Sequence, residues 1–310
     1  MRAILVFQRK SIEMIAQAPL DVHIENLLVF IEKAGLDTSQ VQDEQTLSTC
    51  YIGALEALQG RKSKGKYRET HIVFDHDQAS EFSRLLSDDD LTVLDDKNQA
   101  EVIAREPDPL VEKKAVLLGS AIECLGVLSS EHKCLFDFLI TDIFLMPSKE
   151  ASGGSTSSAI GVIWANPKIT HRIPDVVEFI VHELTHHAMF IDEYRYGHYD
   201  HRALMSPDSW AQSAILKIAR PLDKVIHSIV VAAEIVMFRE KFIGHPSAPL
   251  VHPPTPRILA QLVASLDSVE QVIDRQERAG ITSVSSRTKA LLSGARDIVE
   301  SDRLCKYRTT

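Results

Sequence analysis

The sequence predicts an α+β fold that is predominantly helical, with a small antiparallel sheet packed on a metal-binding helix. Three observations predict it. Helix-period apolar patterns fill the first and last parts of the chain. Two strand-like runs lie near the middle. One strongly apolar helical pattern, residues 174–187, follows them and carries two histidines four residues apart.

Taken in order, residues 19–34 carry apolar residues at Val22, Leu27, Leu28, Phe30 and Ile31 and read as a helix, and Gly35 follows as a stop. Residues 45–58 repeat the pattern and end at Gly60. The basic stretch 61–66 reads as a solvated turn. Residues 71–75 form a short strand whose polar neighbours His71, Asp75, His76 and Asp77 suit an exposed strand end better than a metal site. Ser87, Asp88, Asp89 and Asp90 read as a turn or helix cap. Pro107 and Pro109 mark a junction, dividing the chain into an N-terminal, mostly helical region (1–109) suited to substrate docking and a metal-binding catalytic region (110–310). A helix over 113–128 precedes a strand over 136–145, a Gly/Ser loop over 151–158 and a second strand over 159–164. Beyond the central helix, residues 206–219, 221–242, 255–279 and 285–301 read as helices.

Composition excludes several classes of function. The 310 residues carry a net charge of −9 with no long basic run, and aromatics are only 6%, so neither phosphate tracking nor base stacking is served; no nucleic-acid partner is expected. The longest apolar run, 229–238, is interrupted by Glu234 and falls far short of the ~20 residues that span a bilayer. The N-terminus lacks the pattern of an export signal, and the four scattered cysteines suit reduced core thiols, so a cytoplasmic location is expected.

The chemistry sits in residues 182–186, His-Glu-Leu-Thr-His. Pro174 opens the helix without losing a needed hydrogen bond, and Asp175 and Glu178 suit its positive end. Residues i and i+4 stack on one helix face, so His182 and His186 can grip one metal ion. Glu183 lies about 100° around the axis, where a carboxylate meets water at the metal and serves as general base in zinc peptidases. His187 points elsewhere, and the loop residues His198, Tyr199, Asp200 and His201 read as solvated or as lining the site's entrance.

Catalytic metal sites usually take three protein ligands. The extended zinc-peptidase pattern fails here, since its glycine and third-histidine positions fall on Met189 and Asp192. Two candidates for the third ligand lie on the 221–242 helix: His227, which is preferred, and Glu234, a lone acid in a very apolar stretch. Seven residues are nearly two turns, so both share a face, and Arg220 lies seven residues before His227.

The sequence Val181-His182-Glu183-Leu184-Thr185-His186, followed by Met205-Ser206-Pro207 and then by Arg220-Pro221-Leu222 with His227 five residues on, resembles the HExxH-motif peptide-modification proteins. The resemblance covers residues 136–242, and the Arg-Pro-Leu element with its histidine is the more discriminating part. It implies an iron(II)- and 2-oxoglutarate-dependent hydroxylase acting on a ribosomally made peptide, with His182, His186 and His227 as ligands. It further implies that Arg220 grips the free carboxylate of 2-oxoglutarate in a two-point fork. A peptide or amino-acid substrate is therefore expected, the peptide docking through a leader segment. The alternative expectations are a zinc metallopeptidase with Glu183 as base and a peptide-binding protein without catalysis.

Overall fold

A computed structural model describes residues 14–86, 102–204, 206–214 and 218–307. The turn or cap expected at Asp88–Asp90 lies outside the described residues, as do Met205 and 215–217.

The helices are α1 (Leu20–Lys33), α2 (Glu44–Gln59), α3 (His76–Arg84), α4 (Val111–Leu128), α5 (Ser130–Leu139), α6 (Ile173–Tyr196), the single turn α7 (His201–Leu204), α8 (Leu222–Phe238), α9 (Thr255–Arg278) and α10 (Ser286–Glu300). The strands are β1 (His71–Val73), β2 (Asp142–Leu145), β3 (Gly153–Gly154), β4 (Val162–Ala165), β5 (Trp210–Gln212) and β6 (Ala219–Pro221). The chain is thus a predominantly helical α+β fold, as its periodicity predicts.

Local chemistry sets the ends. Asp43 and Thr46 form a reciprocal cap on α2, and Gly60 closes it at φ 64°. Helix α6 carries a proline in its first turn, and Asp175 accepts a hydrogen bond from the Arg172 backbone N–H at 3.1 Å.

The middle of the chain differs from the expectation in two ways. Residues 136–139 belong to α5, capped by the Ser129 side chain, and only Asp142–Leu145 is strand. A short apolar run reads alike as buried strand or buried helix, and the cap decides it here. The two central strands also pair in parallel, Asp142 opposite Val162 and Leu145 opposite Ala165, rather than antiparallel. Order in the sheet is β1-β2-β4-β3, with only the β3–β4 pair antiparallel. Every residue of β2 and β4 is buried, the pattern of parallel strands covered on both faces. Residues 206–219, expected as helix, instead contribute to an antiparallel hairpin of β5 and β6. The 221–242 helix runs regularly to Phe238 and then widens into a π-turn, Arg239–Ile243.

Helix α6 is the axis of the molecule. It packs against α1, α4 and α8, while α8 packs in turn against α9 and α10. Fifteen of the 17 residues of α8 are buried, so this apolar helix is an interior strut. No helix among the described residues is long and apolar enough to cross a membrane. One core joins Phe30 and Tyr51 to Phe136, Val181, Ile229 and Leu291, drawing on residues from both sides of Pro107 and Pro109.

Candidate metal centre

On α6, His182 and His186 lie one turn apart, with their Nε2 atoms 3.2 Å from each other. Metal–imidazole bonds are about 2.0–2.1 Å long, so two ligands at right-angled to tetrahedral positions stand roughly 2.9–3.4 Å apart. The pair meets that spacing. His227, from α8, sits on the far side of His186, Nδ1 to Nδ1 at 3.1 Å, with the two rings inclined by 17°. The three histidines expected as ligands are therefore brought together, but His227 faces the back of His186 rather than the Nε2 pair. Among the described residues no three donors converge on one point.

Burial pushes all three imidazoles well below their ordinary basicity. His252 adds to the effect at His182, the neighbouring histidines add to it at His186, and the positive charges of Lys224 and Arg220 add to it at His227. Neutral imidazole is the ligand form, so these rings shed no extra proton, but the one N–H shared across the Nε2–Nε2 contact must move to the other nitrogen of its ring before both can bind a metal. Arg220 reaches this neighbourhood from β6, paired with Ala211, immediately before α8 begins.

Glu183 is 3% exposed, and its Oε1 lies 3.9 Å from His182 Nε2. Burial raises its carboxyl to about 7, partly opposed by the Ser155 hydroxyl, which donates to Oε2 at 2.8 Å. Ser155 arrives on the Gly/Ser loop because β3 approaches α6 closely. At Gly153 (φ 152°) an added Cβ would stand 2.4 Å from the Trp164 carbonyl oxygen and 2.5 Å from the Phe179 ring, so only glycine fits. The Gly/Ser loop thus delivers a hydroxyl to the carboxylate.

The other candidate third ligand, Glu234, is placed elsewhere. Its Oε1 accepts the Ala16 N–H at 2.6 Å and its Oε2 accepts Gln17 Nε2 at 2.9 Å. Two helical turns separate it from His227 along α8, so a shared face does not mean a shared site. It anchors the segment before α1. Burial lifts this carboxyl to about 7, against the opposing hydrogen bonds of Gln17 and Ala16 and the charge of Lys241.

That shift has a consequence for stability. Between about 4.5, the value in an unfolded chain, and about 7, the folded protein binds the proton that the unfolded chain has lost. Folding stability therefore declines as pH rises through this window, by on the order of 3 kcal/mol from this group. Urea unfolding at pH 5 and pH 8 should show wild type losing more stability on going to pH 8 than Glu234→Gln. Equal losses in the two proteins would remove the claim.

The remaining candidates are structural. His187 is fully buried and its Nδ1 accepts the Gly161 N–H at 3.1 Å. His198 pairs with Asp192 at 2.8 Å, and Asp192 also takes a two-point contact from Arg287. Of the loop residues, Asp200 and His201 are exposed as expected, whereas His198 is 0% exposed and Tyr199 is half-buried with its ring 6.4 Å from that of His227. His71 contacts Asp142 at 3.2 Å, and Asp75 caps α3, as a strand end requires.

One residue of the cluster carries no signal in the sequence. His252 lies in the loop before α9, 70 residues from His182, yet its Nε2 stands 2.8 Å from His182 Nδ1. Its own Nδ1 lies 2.8 Å from Glu178 Oε1, and Arg239 donates to both oxygens of Glu178 at 2.6 and 2.7 Å. A Val-His-Pro-Pro loop has no periodicity that would link it to the metal helix. Arg239, in the π-turn after α8, is itself buried, and a buried cation demands a buried partner.

No protein-family model matches the chain, and neither does any curated protein.

Proposed function

We propose that the chain is a metal-dependent oxygenase, in which His182, His186 and His227 hold Fe(II), 2-oxoglutarate is the co-substrate and a peptide is hydroxylated. The observation that favours this reading is the fate of the two candidates on α8. Glu234, the carboxylate a peptidase would use, is committed to Ala16 and Gln17, whereas His227 lies beside His186 with Arg220 nearby. An all-imidazole set accompanied by a guanidinium suits a co-substrate with a carboxylate to spare. Iron, 2-oxoglutarate and the peptide rest on the resemblance of residues 136–242.

When bound, Fe(II) with 2-oxoglutarate supplies the activation of O₂. A substrate C–H becomes C–OH, while 2-oxoglutarate loses CO₂ and becomes succinate, each product taking one oxygen atom. The chain's own residues position and exclude. His182 and His186 would hold the metal through Nε2, with His227, now in contact with His186, as the third residue to do so. Arg220 binds the distal carboxylate. Glu183, its carboxyl raised to about 7 by burial, is braced by the Ser155 hydroxyl beside the His182–His186 pair. The apolar faces of α6 and α8 keep bulk water away.

Anaerobically prepared protein given Fe(II), 2-oxoglutarate and then O₂ should form succinate, and Arg220→Ala should weaken 2-oxoglutarate binding more than it slows turnover at saturation. Peptide cleavage with zinc and no succinate with iron would overturn the proposal in favour of a zinc metallopeptidase. One observation favours that second reading: a carboxyl with a value of about 7 beside the Nε2 of a ligand histidine is well matched to a general base. Glu183→Gln separates the two. A peptidase should lose nearly all activity, by about 10²–10⁴-fold, whereas succinate formation should persist within about tenfold.

A further inference from the structure

His252 occupies a position that neither the helix motif nor the oxygenase reading requires. Four residues before His182 on the same face of α6, Glu178 is 2% exposed and Arg239 is 0% exposed. The guanidinium meets the carboxylate in a two-point fork, and its remaining nitrogen donates to the Pro253 carbonyl at 2.8 Å and to Thr255 Oγ1 at 3.1 Å. Arg239 thus pins both Glu178 and the loop that carries His252. Burial pushes the Glu178 carboxyl up, but hydrogen bonds from His252 and Arg239 outweigh it and hold it below its usual range.

The anchor fixes the direction of the first hydrogen bond, and with His252 in its neutral form it fixes the second as well. An ionised carboxylate only accepts, so the proton between Glu178 and His252 belongs to His252 Nδ1. A singly protonated His252 then has a bare Nε2, which accepts from His182 Nδ1 at 2.8 Å. His182, with its proton on Nδ1, is left with a lone pair on Nε2. That atom faces His186 Nε2 at 3.2 Å and Glu183 at 3.9 Å. The rings of His182 and His252 are inclined by only 17° with centroids 5.0 Å apart, so the relay fixes the angle of His182 as well as its tautomer.

We propose that His252, held by the buried Glu178–Arg239 pair, is a positioning residue for His182, setting the tautomer and ring orientation that turn its Nε2 toward a bound metal. The inference rests on the reading of His182 as a metal ligand. Second-row partners of this kind typically contribute 10–100-fold to metal affinity.

Two variants of the full-length chain test it. His252→Phe fills the space but accepts no hydrogen bond; His252→Gln keeps one acceptor and one donor. Co(II) affinity is measured by competition with a chromophoric chelator, and the visible bands of bound Co(II) report its ligand geometry. The tautomer of His182 is read from the imidazole ¹⁵N shifts of the metal-free protein. Wild type should show His182 protonated on Nδ1 and bind Co(II). His252→Phe should bind roughly 10–100-fold more weakly, with altered Co(II) bands and a His182 tautomer that is no longer uniform. His252→Gln should restore most of the affinity, which a purely packing role for the ring would not do. Wild-type affinity and bands in His252→Phe would overturn the positioning role while leaving the metal reading intact. A wild-type protein that binds no Co(II), yet shows the Nδ1 tautomer of His182, would instead sink the metal reading.

Discussion

His186→Ala is expected to abolish metal binding and with it all turnover, while the metal-free protein stays folded. The imidazole contributes Nε2 to the 3.2 Å pair with His182 and also holds His227 through Nδ1, so its loss removes one ligand and releases another. Affinity should fall by more than the roughly 10–100-fold that follows loss of an orienting partner. The cost to the apo fold is smaller, about 1–3 kcal/mol, because the nitrogens left without partners on His182 and His227 can recruit water. Calorimetric titration with Zn(II) or Co(II), paired with urea unfolding of the metal-free protein, checks both parts. Undiminished binding by the variant would show that the ion sits elsewhere.

Arg239→Met should be the most damaging single change to the fold itself. Arg239 and Glu178 form a buried pair, with the Glu178 carboxylate also engaged by His252. Removing the cation leaves a carboxylate at 2% exposure with His252 as its remaining side-chain partner, which typically costs 3–5 kcal/mol. The loss should appear as a shift of the urea midpoint. The double variant Glu178→Gln, Arg239→Met should regain much of it, because the buried charge is gone. A midpoint within experimental error of wild type for Arg239→Met would show that the pair is not isolated from water. The same variant should weaken metal binding through His252, so stability and affinity decline together.

Much of this arrangement can be read from residue order. The helix starts and stops are local chemistry: Asp43 with Thr46, Pro174 and Gly60 act within a turn of where they stand. The spacing of His182 and His186 is likewise a property of one helix. Other features are decided at a distance. The apolar run 136–145 has no periodicity that separates helix from strand, and its division at Ile140 depends on the Ser129 cap and on pairing of β2 with β4. Parallel pairing is invisible in two adjacent strand patterns, because it depends on what the intervening chain does.

The choice between His227 and Glu234 shows the same limit at the site. Helical periodicity puts both on one stripe of α8, but what lies opposite each is set by packing: α6 beside His227, and the segment ending at Gln17 beside Glu234. His252 is the extreme case, since it reaches His182 from a loop fixed by Arg239, a residue of the π-turn that continues α8.

The most direct measurement is anomalous X-ray scattering from crystals grown with Fe(II) and 2-oxoglutarate under anaerobic conditions. A single iron peak within about 2.0–2.3 Å of His182 Nε2, His186 Nε2 and a nitrogen of His227, with 2-oxoglutarate reaching Arg220, is the expected result. An iron peak bound by other residues, or no peak while those imidazoles remain paired with one another, would contradict it.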